Sequence, residues 1–306
     1  MQSKKEKAYA KINVYLDIQN KREDGFHNIF TLMQLVSLYD SVEVILDGSG
    51  AISVEMINSP LDIPTEKNIA YLAAQKFYEK LGNSVEIGAK IIIEKRIPMA
   101  AGLAGGSADA AAVLRALNEL YEYPCTTEEL LEIGASLGSD VPFSIVGGAQ
   151  LCQGRGEKMY STSGIQHYNI LIAYAGEKMS TSEQYKQLDR KFNDFLDYPL
   201  KESFQAMHRS FATGRCIEGF NYMYNVFETL YEDDSTFKEI KRIMYKNEAT
   251  KAMLSGSGPS IFGVFPNRFY AEDAQAELEK LGITTFLCNP INREYKDILN
   301  QDKPWK

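Results

Sequence analysis

Histidine, cysteine and tryptophan are scarce in this 306-residue chain, with 3, 4 and 1 copies. The cysteines are scattered and form no C-x-x-C pair, so the sequence predicts reduced core thiols and argues against a structural metal site. No run of about 18 apolar residues is present, and no charged segment followed by an apolar one opens the chain. We therefore expect a soluble, cytoplasmic protein that does not bind membranes. The four cysteines are Cys125, Cys152, Cys216 and Cys288.

Positive charge is also in short supply, with 33 Lys and Arg against 41 Asp and Glu and a formal net charge of -8. This balance excludes broad affinity for nucleic acid, which requires clustered basic residues. A small-molecule partner is the remaining expectation, and monomer and homodimer both stay open. The chain length favours two domains. We place them at residues 1–163 and 164–306, because the segment 161–164, STSG, interrupts the pattern.

The first third of the chain is rich in predicted strands. Residues 9–18 alternate, with apolar residues at the even positions and Lys11 and Asn13 among those at the odd positions. A period of two predicts a strand, and a solvated polar face is its simplest interpretation. Shorter strand patterns follow at 41–46, 52–56 and 90–94.

Helical periodicity begins at Ser107, which is predicted to be the N-cap of a helix that ends before Pro124. Thr126 and Glu129 predict a capping box for a second helix over 127–137. Residues 182–245 are polar and glycine-poor, with apolar residues at helical intervals. The tail predicts a strand, a helix and a strand over 260–287, so the fold class is α+β.

Residues 98–108, PMAAGLAGGSA, form a glycine-rich turn between a strand and an alanine-rich helix. Such a turn aims free backbone N–H groups and the positive helix end at one point, which predicts an anion site. The segment has neither the lysine of a P-loop nor the spacing of a dinucleotide fingerprint. A flexible turn before a tightly packed helix is the alternative, and the glycines alone favour it.

Four other segments carry candidate chemistry, and each has an ordinary structural interpretation when taken alone. Asp140, in the bend GSDVP at 138–142, is either a reactive carboxylate or the cap of a short helix. Lys11 and Asn13 share a strand face. Phe26 and His27 lie in a turn, where surface residues and binding residues both occur. The segment SGSGP at 255–259 predicts a hairpin turn.

The joint occurrence of these segments, in this order, resembles a known family. The segment 98–107 is similar to the phosphate-loop motif of the GHMP kinases, and 255–259 is similar to their C-terminal glycine motif. Within that superfamily, five short motifs resemble the pattern of the 4-diphosphocytidyl-2-C-methyl-D-erythritol kinases. They are AKIN at 10–13, REDGFH at 22–27, KNI at 67–69, GSDVP at 138–142 and GRGE at 154–157.

The resemblance implies a two-domain GHMP kinase fold, with an N-terminal domain like ribosomal protein S-five domain two and a ferredoxin-like C-terminal domain. It also implies transfer of the γ-phosphoryl group of ATP, with Mg²⁺, to the 2-hydroxyl of a cytidine diphosphate sugar alcohol in isoprenoid precursor biosynthesis. Another GHMP kinase, of homoserine or mevalonate type, and a non-catalytic nucleotide-binding member are the alternatives.

The same resemblance assigns roles to individual residues. Lys11 and Asp140 are the expected catalytic pair, and Ser107 is the possible Mg²⁺ ligand. Asn13, Phe26, His27, Thr181 and Tyr185 are expected to bind the acceptor. The residues expected to bind ATP are Asn68, Lys95, Pro98, Met99, Ala100, Ala101, Gly102, Leu103, Ala104, Gly105, Gly106, Ser107 and Ala108.

The chain departs from the family pattern in two respects. Phe26 replaces a tyrosine, which keeps an aromatic face for stacking and removes a hydroxyl. Ala100, Ala101 and Ala104 stand where glycine is frequent, and alanine is acceptable at such positions wherever φ is negative.

Overall fold

The computed structural model describes residues 2–60, 63–82, 88–176, 180–192 and 202–292. Its strands are β1 (Gln2–Lys21), β2 (His27–Leu46), β3 (Ile52–Ile57), β4 (Ala89–Glu94), β5 (Ala149–Gly154), β6 (Lys158–Ser161), β7 (Asn169–Tyr174), β8 (Lys251–Leu254), β9 (Ser260–Phe265), β10 (Thr284–Cys288) and β11 (Pro290–Ile291). Its α-helices are α1 (Ile69–Leu81), α2 (Gly105–Leu120), α3 (Thr127–Leu137), α4 (Val141–Val146), α5 (Thr181–Lys191), α6 (Glu202–Ala212), α7 (Cys216–Phe220), α8 (Ser235–Lys246) and α9 (Arg268–Lys280).

The chain divides into two compact units, and each unit draws on several sequence segments. The first consists of Met1–Ala10, Leu38–Met99 and Ala104–Val146. The second consists of Lys11–Ser37, Ala100–Leu103 and Gly147–Lys306. The predicted domains at 1–163 and 164–306 stay a prediction, because units defined by contacts are not the same objects as domains defined along the sequence.

The first unit combines strands with helices α1 to α4. The end of β2 pairs antiparallel with β4, from Ser41 opposite Glu94 to Leu46 opposite Ala89, and β3 pairs parallel with β4. Most residues of α2 are buried. Many of them are alanines, whose small side chains let neighbouring backbones approach closely. Phe77 of α1 and Leu117 of α2 lie in the resulting hydrophobic core.

The second unit contains a four-stranded antiparallel sheet in the order β10-β7-β9-β8. In chain order, β7, β8, β9 and β10 are the four strands of a β-α-β-β-α-β unit, with α8 before β8 and α9 before β10. This is the predicted ferredoxin-like topology. Phe265, Ile243 and Leu278 are buried in its core. In the same unit the start of β2 pairs with β5, and β5 pairs with β6.

Most predicted elements are present, and two details differ. The strand predicted at 9–18 lies within β1, but its polar face is buried rather than solvated, with Lys11 5% and Asn13 3% exposed. Ser107 is not an N-cap, because α2 begins two residues earlier at Gly105 with Ala104 as its cap. The capping box of α3 is confirmed, with Thr126 and Glu129 each bonded to the backbone of the other.

All four cysteines are buried free thiols, as predicted. Among the described helices, none combines the length and apolar character that crossing a bilayer requires.

Candidate active site

Lys11 heads a buried hydrogen-bond chain on β1 and β2, in the second unit. Its ammonium donates to Asn13 Oδ1 at 2.6 Å, and Asn13 Nδ2 donates to Thr31 Oγ1 at 2.8 Å. Thr31 in turn donates to the carbonyl oxygen of Tyr15 at 2.6 Å, and its side chain is fully buried. An amide with both ends engaged cannot rotate without losing a bond, so Asn13 holds the Lys11 ammonium in a defined position.

A glycine turn at residues 255–258 lies against Gly102 in the same unit. Ser255 Oγ donates to the Gly102 carbonyl at 3.1 Å, and a Cβ built on Gly102 would overlap the Ser255 carbonyl oxygen. Gly102 has φ +79°, so both its conformation and its surroundings require glycine. A Cβ on Gly256 would lie 3.5 Å from Asn13 Oδ1. The turn therefore brings Gly102 close to the Lys11 and Asn13 chain.

Two residues from the predicted helical stretch at 182–245, where the sequence shows no recognisable motif, hold this glycine turn in place. Asn225, 1% exposed, donates through Nδ2 to the carbonyl oxygens of Leu254 and Gly256, each at 2.8 Å. Tyr231 donates from its hydroxyl to the Ser257 carbonyl at 3.0 Å. The sequence carries no signal for either residue, because a lone polar residue in a helical segment looks like ordinary surface.

In the first unit, α2 begins at the glycine-rich loop and has an open N-terminus. Within the described residues, no side chain caps the helix and no acidic residue occupies its first turn. Its first backbone N–H groups are therefore available to an anion, which the helix dipole also attracts. Ser107, third residue of the helix, places a half-buried hydroxyl beside them.

The small residues of the loop do not share one backbone conformation. Ala100 and Ala104 have φ +52° and +57°, so the negative φ that suits alanine is not found at either, and each adopts a left-handed conformation that costs an L-residue about 1–2 kcal/mol. Gly105 does not have positive φ. Glycine suits position 105 because a Cβ there would lie 3.0 Å from Ile97 Cγ2.

The remaining loop residues are fixed mainly through their backbones. Leu103 accepts from the Lys11 amide at 3.1 Å, and Ala101 accepts from the Ser260 amide at 3.2 Å. The Ala104 carbonyl accepts from the Ala108 amide, the first intrahelical bond of α2. Pro98 is half-buried, and Met99 accepts at its sulfur from the Ser59 hydroxyl at 3.7 Å.

Lys95 packs against the Gly105 end of the glycine-rich loop and belongs to a buried cluster with two carboxyl groups. Its ammonium donates to Asp40 at 2.5 Å and to Asp109 at 2.6 Å, and it lies 3.5 Å from the Cβ position of Gly105. Burial alone would lower the pKa of Lys95, but the two carboxylates outweigh it and the pKa is raised. Burial raises the pKa of Asp109 to about 8, with Lys95 opposing and the Asp40 charge adding to that shift.

Asn68 and Asp140, also in the first unit, occupy helix starts. Asn68 is the N-cap of α1, accepting from the Ala70 amide at 2.9 Å, and it lines a cavity of about 460 Å³. Asp140 immediately precedes α4, and its carbonyl accepts from the Ser144 amide at 3.0 Å. The other residues that line the cavity are Val54, Met56, Ser59, Pro60, Ile63 and Thr65.

Phe26 and His27 are neighbours in the sequence with opposite environments in the second unit. The Phe26 ring is 48% exposed, whereas His27 is 8% exposed. Nε2 of His27 lies 2.6 Å from Asp189 Oδ1, and its ring stacks on Tyr185 with centroids 4.7 Å apart. Burial would raise the pKa of Asp189, but Lys21 and His27 outweigh that effect and lower it. Phe26 is thus the ring that offers an open face.

Thr181, one of the predicted acceptor residues, contacts the glycine turn. It is the first residue of α5, and its hydroxyl lies 2.9 Å from the Ser257 hydroxyl. The second unit therefore brings Lys11, Asn13, Gly102 and Thr181 together around one turn. Asn68, Lys95, Ser107 and Asp140 belong to the first unit.

Family comparisons agree with the motifs. Residues 68–148 match the model described as GHMP kinases N terminal domain, and residues 231–284 match GHMP kinases C terminal. The chain is 41% identical, over 276 residues, to the 4-diphosphocytidyl-2-C-methyl-D-erythritol kinase of Caldicellulosiruptor bescii, covering 89% of this chain and 93% of the relative.

Solved structures show the same similarity in three dimensions. The chain superposes on a crystal structure of 4-(cytidine 5'-diphospho)-2C-methyl-D-erythritol kinase with a TM-score of 0.77 and 28% identity, covering 94% of this chain and 99% of the other. A homoserine kinase from Cytophaga hutchinsonii superposes with a TM-score of 0.72 at 18% identity, over 96% of each chain, which shows a shared fold. The predicted GHMP kinase fold is confirmed.

Proposed function

Because the chain belongs to the 4-diphosphocytidyl-2-C-methyl-D-erythritol kinase family of GHMP kinases, we propose that it phosphorylates the 2-hydroxyl of 4-diphosphocytidyl-2-C-methyl-D-erythritol with ATP. The observation that carries the proposal is the buried chain from Lys11 through Asn13 to Thr31 beside Gly102. A lysine held rigidly out of water needs a reason, since burying a charge costs free energy. Charge compensation during phosphoryl transfer supplies one.

The donor nucleotide binds at the glycine-rich loop in this proposal. The open first turn of α2 donates backbone hydrogen bonds to the phosphates, and the pocket lined by Asn68 receives the adenine base. Lys95 supports the loop without contacting the phosphates. Its ammonium packs against the Gly105 position and donates hydrogen bonds to Asp40 and Asp109. Its role is to hold the loop in shape for the triphosphate.

The Ser107 hydroxyl fits a Mg²⁺ ion that takes its other oxygens from phosphates and water, the usual environment of this ion in kinases. Among the described residues no cluster of three His, Cys, Asp or Glu side chains surrounds a metal position. Bound Mg²⁺ would neutralise phosphate charge. Ser107 would hold it from the first turn of α2.

The acceptor is deprotonated and oriented by the catalytic pair. Asp140 accepts the proton of the 2-hydroxyl, and the Lys11 ammonium stabilises the negative charge that develops on the attacking oxygen. Asn13 keeps that ammonium aimed through its own bond to Thr31. Phe26 stacks the cytosine, and His27, Thr181 and Tyr185 complete the acceptor end. We place the reaction in the cytoplasm.

A coupled ADP-release assay tests this assignment against the other activities of the fold. The acceptors are 4-diphosphocytidyl-2-C-methyl-D-erythritol, homoserine and mevalonate, with an acceptor-free reaction as the blank. The proposal predicts turnover with the cytidine acceptor alone, because the exposed Phe26 ring can stack on a cytosine and neither homoserine nor mevalonate contains a ring to stack on it. Turnover of homoserine or mevalonate would reassign the substrate. No acceptor-dependent turnover would indicate a non-catalytic nucleotide-binding protein.

A further inference from the structure

The turn at residues 154–157, GRGE, connects β5 to β6 and presents Arg155 to Phe26. The guanidinium carbon of Arg155 lies 3.8 Å from the centre of the Phe26 ring. The pairing of Gly154 with Ile29 across β5 and β2 brings the turn beside the start of β2, where Phe26 precedes the strand. Although they are far apart in the sequence, the two residues form a cation–π pair.

The Arg155 side chain packs against the Phe26 ring. Its Nε is buried and, in the described part of the chain, has no hydrogen-bond acceptor. A buried N–H without an acceptor is costly. The guanidinium lies against the face of the Phe26 ring, and its charge, after the hydrogen bond from Arg22, also lowers the pKa of Asp24, whose own carboxylate accepts from the Phe26 amide.

The turn itself is constructed to hold Arg155 in this orientation. Glu157 Oε2 accepts from the Arg155 backbone amide at 2.6 Å, which closes the turn. Gly154 has φ +71°, a conformation that favours glycine, and a Cβ on it would lie 2.5 Å from Glu157 Oε1. Gly156 has φ +116°. The other three residues of the motif thus constrain the backbone at Arg155.

The backbone of Phe26 is fixed from the other side. Asp24 Oδ1 accepts from the Phe26 amide at 3.1 Å, and Arg22 binds Asp24 through Nε and Nη2. The Arg22 amide donates to the Phe26 carbonyl at 2.8 Å. Backbone bonds fix Cα but leave the ring free to rotate about χ1 and χ2. Within the described residues, the Arg155 guanidinium is a contact that lies directly on the ring face.

We propose that Arg155 is a positioning residue of the acceptor site, which holds the Phe26 ring on one face so that the other face stacks the pyrimidine of a nucleoside diphosphate acceptor. This inference rests on the proposed function, because it concerns the acceptor of the same reaction. With one face covered by a guanidinium and the ring still 48% exposed, Phe26 offers a single preorganised platform. Preorganisation improves affinity by reducing the ordering cost on binding.

A double-mutant cycle with Arg155→Leu and Phe26→Ala tests the proposal. Arg155→Leu should raise KM for the cytidine acceptor about two- to fivefold, the effect of losing an exposed cation–π contact, with kcat and KM for ATP unchanged. In the Phe26→Ala background the same substitution should have no further effect, because Arg155 acts through the ring. Arg155→Lys should recover part of the loss.

Titration calorimetry with CDP provides a readout without turnover, and the same pattern is expected in the dissociation constants of the wild type, the two single variants and the double variant. Arg242→Leu is the matched control, since this exposed arginine of α8 pairs with Glu239 and its loss changes the net charge by the same amount. It should leave acceptor KM unchanged.

Three results would overturn the proposal. An unchanged acceptor KM in Arg155→Leu would remove the role, and independent, multiplying effects in the double variant would mean that Arg155 contacts the acceptor directly. A lowered melting temperature with equal changes in all kinetic constants would make the contact merely structural. Failure of the wild-type protein to bind CDP and to use the cytidine acceptor would instead reject the proposed function, which keeps the two failures distinguishable.

Discussion

The Lys95 ammonium donates to Asp109 at 2.6 Å and so joins the end of β4 to the first turns of α2. Asp40 completes the cluster, accepting from Lys95 at one oxygen and from the amides of Arg96 and Ile97 at the other. One ammonium can neutralise the charge of only one carboxylate. A buried cluster of one ammonium and two carboxyl groups therefore has zero net charge when one carboxyl is protonated. The pKa of about 8 at Asp109 agrees with that balance.

The first prediction concerns the pH dependence of stability at Asp109. Unfolding lets this carboxyl ionise near its usual pKa of 3.8, whereas in the folded protein it holds its proton up to about pH 8. The unfolded state therefore binds fewer protons between these values, so the stability contributed by this group falls as pH rises. The amide introduced by Asp109→Asn cannot titrate. The free energy of unfolding of this variant, relative to wild type, should therefore increase from about pH 5 to about pH 8.

Denaturant unfolding at several pH values across this range measures the difference. Asp273→Asn, on the exposed side of α9, makes the same side-chain substitution at the surface and should show no such trend. A difference between Asp109→Asn and wild type that stays constant with pH would mean that Asp109 is ionised in the folded protein.

The second prediction separates two glycines of the loop. Gly102→Ala forces a Cβ onto the Ser255 carbonyl oxygen at φ +79°, so the loop must move. We expect KM for ATP to rise about tenfold or more, since 1–2 kcal/mol of backbone strain is worth roughly that factor. Gly106→Ala is the control, because its Cβ would meet nothing closer than Ile69 Cγ2 at 3.5 Å. A KM for ATP in Gly102→Ala equal to that of the wild type would show that the shape of this loop does not determine phosphate binding.

The third prediction concerns the chain behind Lys11. Lys11→Met keeps the buried aliphatic stem and removes the ammonium, so kcat should fall about 10²-fold or more with ATP binding retained. Thr31→Val, which removes the partner of Asn13 at constant shape, should lower kcat less, with unchanged KM for ATP. Lys90→Met on β4, where the lysine pairs with Glu55 at the surface, is the control for lost charge. Normal kcat in Lys11→Met would reject charge compensation.

The fourth prediction separates catalysis from capping at Asp140. Asparagine caps a helix about as well as aspartate, so Asp140→Asn preserves α4 and removes the proton acceptor. Turnover should fall by about 10²- to 10⁴-fold, the usual value of a general base. Calorimetric ATP affinity should stay close to that of wild type, because the phosphate loop does not change. Turnover close to that of wild type would leave Asp140 a capping residue.

The fold could be predicted from local signals wherever those signals were strong. The capping box at Thr126 and Glu129 bounded α3 correctly, and period-two alternation identified β1. Alternation alone could not show that Lys11 and Asn13 are buried, because burial of the polar face depends on residues distant in sequence. The N-cap assigned to Ser107 was wrong because glycines, poor helix formers, continue α2 back to Gly105.

Candidate site residues with a motif could be found in the sequence, and those that act through a neighbour could not. Thr31 and Asp40 lie on β2 with no distinguishing pattern, yet each binds a residue that carries a role in the proposal. Asn225 and Tyr231 hold the glycine turn from a segment with no recognisable motif. Arg155 was visible within GRGE, but its contact with Phe26 depends on the pairing of β2 with β5.

Product analysis is the decisive test of the proposed function. The purified protein is incubated with ATP, Mg²⁺ and 4-diphosphocytidyl-2-C-methyl-D-erythritol, and the product is examined by phosphorus NMR and mass spectrometry. Lys11→Met serves as the catalytic control. We expect one new phosphomonoester on the 2-hydroxyl, an intact diphosphate and one equivalent of ADP. A monoester at another hydroxyl, or inorganic phosphate released without any phosphorylated acceptor, would contradict the proposed function.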